Sequence, residues 1–67
     1  MQVKTVRINK PGEAGVRFDL GSPLYRGDEK TVDQIVKITV GIFRKVTIFL
    51  SNGKTIEFRG FPIEYEL

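Results

Sequence analysis

Sixty-seven residues, with eleven Lys and Arg against eight Asp and Glu, carry a net charge of +3 and include no Cys and no His. Disulfide staples, ordinary zinc sites and the usual nucleophile–base pairs of catalysis are therefore excluded, and a chain this short buries only about 60% of the surface it exposes when unfolded. Stability has to come from packing or from self-association.

Met1-Gln2-Val3-Lys4 leads into an alternating segment, with Val6 and Ile8 between Thr5 and Arg7, so residues 2–9 read as a first strand and not as a secretion signal. Lys10-Pro11-Gly12-Glu13 places Pro and Gly at the two central positions of a type II turn. Val16, Phe18 and Leu20 then alternate with Arg17 and Asp19, which predicts a second strand paired with the first as a hairpin. Gly21-Ser22-Pro23 opens a loop carrying Leu24 and Tyr25.

The segment Thr31–Val40 admits two structures. A helix would use Thr31 as N-cap, Gln34 as its capping-box partner and Gly41 as the stop, with Val32, Ile35, Val36 and Val40 on one face. A strand would alternate Val36, Ile38 and Val40 with Lys37 and Thr39, and the many β-branched residues favour it. The expectation is a short helical turn at 31–34 followed by a strand from 35. The even-numbered apolar pattern continues to Leu50, but fifteen extended residues span roughly 50 Å, against about 28 Å across a compact domain of this length. The chain must therefore reverse, and Gly41–Arg44 is the place.

Two alternating runs flank Asn52-Gly53, the strongest short-range hairpin signal. A two-residue turn would set Ile48 against Glu57. A three-residue Ser51-Asn52-Gly53 loop instead pairs Ile48 with Ile56, Val46 with Phe58 and Thr47 with Glu57, with Gly53 in the left-handed conformation of a bulge. Beyond it the apolar phase slips at Gly60, from Ile56 and Phe58 to Phe61, Ile63, Tyr65 and Leu67.

These elements predict one all-β or β-rich α+β domain over 1–67. Its form is a small antiparallel barrel or strongly curled sheet of about 5–6 short strands, with at most one short helical segment near 31–40. A β-grasp-like arrangement is the alternative if 31–40 is helical throughout.

Chemistry is sparse. Asp19, Asp28, Glu29 and Asp33 could gather near 21–34, although acids on strands and turns are ordinarily solvated. Gly53-Lys54-Thr55 copies the tail of a phosphate-binding loop but enters a strand, and Ile48 stands where its first Gly belongs. Arg26-Gly27-Asp28 spells an adhesion tripeptide whose plainer reading is a turn. The expectation is a cytoplasmic, non-catalytic module with no cofactor, no metal and no membrane partner, binding a protein or a second copy of itself through Phe49, Phe61, Ile63, Tyr65 and Leu67. Pro62 places the last strand at a sheet edge. The alternative ligand is nucleic acid, met by Lys37, Arg44, Lys45, Lys54 and Arg59 with the neighbouring rings of Phe43, Phe58 and Phe61.

Overall fold

The computed structural model describes residues 1–26 and 28–67; Gly27, and with it the Arg26-Gly27-Asp28 tripeptide, lies outside them. Seven strands are described: β1 (Thr5–Ile8), β2 (Val16–Asp19), β3 (Pro23–Arg26), β4 (Glu29–Val40), β5 (Val46–Leu50), β6 (Thr55–Phe58) and β7 (Ile63–Glu66), with a single helical-type turn at Ile42–Arg44. They form two antiparallel sheets, ordered β2-β1-β7 and β3-β4-β5-β6. Among the described residues no ladder joins β6 to β7 or β2 to β3, so the strands make a curled sandwich and not a closed barrel. No described helix is long and apolar enough to cross a membrane.

Each turn follows from its residues. Glu13 N–H donates to the Lys10 carbonyl (3.2 Å) with Gly12 at φ +76, and β2 returns along β1 with Phe18 opposite Val6 and Val16 opposite Ile8. The second hairpin has the three-residue loop: Ile48 faces Ile56, Val46 faces Phe58, and Thr47 faces Glu57. Gly53, at φ +86, donates its N–H to the Leu50 carbonyl (3.0 Å), while the Asn52 side-chain oxygen accepts from Lys54 N–H (2.8 Å). Gly60, at φ +77, turns the chain so that Ile63 comes opposite Ile8 and Tyr65 opposite Val6; Ile63 packs on the core while Tyr65 stays exposed at the margin. β7 is an edge strand, and Pro62 stands immediately before it.

The segment 31–34 is not helical. It belongs to β4, which is continuous from Glu29 to Val40, and 23–26 is a strand in place of the expected loop. The two residues that would have capped a helix bond across strands: Thr31 Oγ1 donates to the Leu24 carbonyl (2.8 Å), and Gln34 N–H donates to Ser51 Oγ (2.9 Å). With Leu24 of β3 and Ser51 of the β5–β6 loop supplying those partners, the β-branched run keeps its extended preference and the β-grasp alternative falls. The phase of β4 also differs from the simple alternation. Ile35 lies opposite Leu50 and Lys37 opposite Phe49, so Val36 is the extra residue of a β-bulge. Val36 is exposed, and Ile35 and Ile38, three apart, are both buried.

The inner faces meet in one cluster. Val6, Ile8 and Phe18 of the first sheet pack with Leu24, Ile35, Ile38, Val40, Val46, Ile48 and Leu50 of the second, together with Val3, and with Ile56, Phe58, Phe61 and Ile63 at the margin. The rings of Phe18 and Phe58 sit 5.6 Å apart, tilted by 44°. Residues 1–3 join the sheets: Val3 N–H donates to the Ile38 carbonyl (3.1 Å) and Val40 N–H to the Met1 carbonyl (2.8 Å), after which Lys4 leads into β1. The radius of gyration is 11.3 Å.

A Cβ added at Gly53 would meet nothing within 4 Å, so Gly53→Ala isolates the backbone penalty of positive φ. The expected loss is about 1 kcal/mol or more in chemical denaturation; an unchanged midpoint would show that Gly53 is not held left-handed.

Candidate functional surface

The register sorts the polar residues onto two outer faces of different character. On the first sheet Thr5, Arg7, Arg17, Asp19, Glu64 and Glu66 share the solvent side, two arginines against three carboxylates. Arg17 Nε donates to Asp19 Oδ1 (2.9 Å), and Thr5 Oγ1 donates to the same oxygen (3.1 Å). That hydrogen bond, and then the charge of Asp19, raise the Arg17 pKa above its ordinary value.

The outer face of β4–β6 is different. One row holds Lys37, Phe49 and Thr55, and the next holds Thr39, Thr47 and Glu57. Arg59 and Lys45 converge on Glu57, with Arg59 Nε 2.7 Å from Oε1 and Lys45 Nζ 3.9 Å from Oε2. Ion pairs this exposed are worth about 0–1 kcal/mol, so an incoming anion can compete for both cations. Phe49 is half-buried on this face, beneath the Lys37 ammonium, 5.2 Å from the ring centroid. Tyr25 lies in a cleft of ≈ 400 Å³ between the sheets, with Val16 and Phe18 on one side and Lys54 and Ile56 on the other.

Of the five cations expected to meet nucleic acid, Lys37, Arg44, Lys45 and Arg59 therefore belong to the β4–β6 face and its tip, while Lys54 stands apart on the cleft. The rings of Phe58 and Phe61 do not stack beside Arg59. They pack on the core beneath Lys10, whose Nζ is 5.3 Å from one centroid and 5.5 Å from the other. Of the apolar residues expected to meet a protein, Phe61 and Ile63 are half-buried against the core, whereas Tyr65 and Leu67 are exposed on and just beyond β7.

The tip between β4 and β5 is the feature that alternation alone missed. Lys45 N–H donates to the Ile42 carbonyl (3.2 Å), closing a turn whose central residues, Phe43 and Arg44, have φ of 57° and 55°. That is type I′ geometry, for which Asn-Gly is the preferred pair. Ile42 is 79% exposed and Phe43 86%, and the two share a depression of ≈ 280 Å³ with Lys45 and Arg59. Left-handed backbone costs about 1–2 kcal/mol per ordinary residue. The available sequence signal was a mandatory reversal without Asn or Gly at its centre.

Replacing Phe43 by Asn together with Arg44 by Gly should raise stability, on the order of 1–2 kcal/mol, by giving the turn residues that suit positive φ. Equilibrium urea denaturation measures it, and a loss of stability would mean that the two side chains support the fold.

The chain matches no family model, no curated protein and no solved structure, so the chemistry of this face and its tip is the guide to function.

Proposed function

We propose that the chain is a small cytoplasmic, non-catalytic binding module whose ligand is a nucleic acid, held against the outer face of β4–β6. What supports this is the segregation of charge: Lys37, Arg44, Lys45 and Arg59 gather there against Glu57, while the first sheet's outer face has a slight excess of carboxylates. Cations reach phosphates, and the hydroxyls of Thr39, Thr47 and Thr55 between them add neutral hydrogen-bonding groups suited to a sugar–phosphate backbone. Three to four phosphate contacts predict that the logarithm of affinity falls with that of salt concentration with a slope of roughly −3 on duplex DNA. Glu57→Gln should strengthen binding and steepen the slope, because it releases Lys45 and Arg59 and removes the carboxylate. Anisotropy titrations of labelled duplex DNA, single-stranded DNA and RNA at two salt concentrations test both effects. No salt-sensitive binding at low ionic strength would overturn the proposal.

A second function, binding a protein or another copy of the chain, is supported by the edge position of β7 and by Tyr65 and Leu67, 45% and 72% exposed. Ile63 packs against the core, so charge belongs at the other two positions. For self-association, sedimentation equilibrium should show an oligomer that Tyr65→Lys with Leu67→Lys converts to a folded monomer; a monomeric wild type at every concentration would remove it.

A further inference from the structure

We propose that the Ile42–Phe43 tip is a wedge that enters the minor groove of duplex DNA and partly unstacks one base step. The inference rests on the nucleic-acid function above and adds the kind of duplex contact. Two large apolar side chains stand next to each other on a tight turn, Ile42 as its first residue and Phe43 at its apex, both mostly in water, with Lys45 and Arg59 lining the same depression and Arg44 next along the chain. An apolar pair set among cations is what a minor-groove wedge requires: the cations meet the phosphates on either side while the side chains part a base step and bend the duplex toward its major groove.

The shape favours a duplex over a single strand. A single-stranded platform stacks successive bases on successive rings, but on the basic face and its tip Phe43 is the one described ring that stands freely exposed: Lys37 covers Phe49, Phe58 and Phe61 pack against the core beneath Lys10, and the exposed Tyr25 and Tyr65 lie at the cleft and on the other sheet. A branched aliphatic beside a ring is thicker than a stacking plane and suits prying more than stacking. The minor groove of B-DNA is about 6 Å wide, too narrow for a β-ribbon, so the apex side chains enter while the face behind them stays on the backbone. The wide, shallow minor groove of A-form RNA offers no such grip. A lipid surface would engage the apex, whereas the cationic face continues up β4 to Lys37.

The test uses a duplex of about 20 base pairs with 2-aminopurine at a central TA step, the kind most easily unstacked, and a dye pair at its ends. Wild type should raise 2-aminopurine emission and increase energy transfer between the ends. Ile42→Ala with Phe43→Ala should keep the salt slope, lose both signals and weaken binding about tenfold, as expected when buried apolar contacts are removed. Phe43→Asn, whose side chain tolerates the left-handed turn and leaves Arg44 in place, should likewise lose the emission change while circular dichroism shows the fold retained. Salt-sensitive binding without change in emission or energy transfer would overturn the wedge and leave the nucleic-acid function standing. No binding at all would remove both. Preference for single-stranded DNA or duplex RNA, or Phe43-dependent partition onto phosphatidylserine vesicles with no signal on DNA, would also overturn it.

Discussion

The extra residue at Val36 is the constraint on which the rest of this molecule depends. Strand β4 must serve two neighbours on one edge and a third on the other: residues 29–34 pair with β3, Ile35 bonds to Gly21 and Ser22, residues 38–40 bond to the N-terminal segment, and the opposite edge from Ile35 onward carries β5. A flat strand would hold one set of neighbours in one plane. The bulge at Val36 turns the strand and shifts its phase, so that Ile35 and Ile38 both reach the core although they are three residues apart. Because β4 also hydrogen-bonds to the segment that becomes β1, this bend is where the two sheets are coupled.

That coupling matters for so short a chain. The buried set is almost wholly aliphatic, with Phe18 its one ring, and no buried polar or charged residue occurs among the described residues. Native stability for this length is about 3–10 kcal/mol, so each strained residue is a sizeable fraction of the total. The left-handed Phe43 and Arg44 are thus costly where Asn-Gly would have been easy, whereas the reversals at Gly12, Gly53 and Gly60 each place glycine at the positive φ. Such disagreements concentrate where a surface is used.

Legibility in the sequence followed the same physics. The two hairpins, the three-residue loop, the reversal at Gly41–Arg44 and the slip at Gly60 could be read because each rests on local rules: alternation, Pro-Gly and Asn-Gly turns, and glycine's freedom at positive φ. The segment 31–34 could not, because Thr31 and Gln34 satisfy either a capping box or bonds to distant parts of the chain, and the choice is made by Leu24 in β3 and Ser51 in the β5–β6 loop. Val36 was misplaced for a related reason, since a bulge leaves a β-branched residue looking like any other member of an alternating run. Among the candidate binding residues, the clustering of Lys37, Arg44, Lys45 and Arg59 was visible in part. The separation of Lys54, the cover of Lys37 over Phe49 and the exposure of Ile42 required the register and the turn geometry.

The basic face is itself a product of register. A slip of one residue between β5 and β6 would turn Thr47 and Phe49 against inward positions and scatter the cations over both sides of the sheet. The glycine bulge at Gly53 prevents that slip, and in doing so it places Glu57 opposite Thr47, within reach of Lys45 and Arg59. Glu57 therefore holds two cations loosely in position on a face that would otherwise repel itself. Weak, exposed pairs of this sort restrict the side chains without locking them, so a phosphate can replace the carboxylate at small cost. The carboxylate that weakens the positive potential is also the group that arranges it.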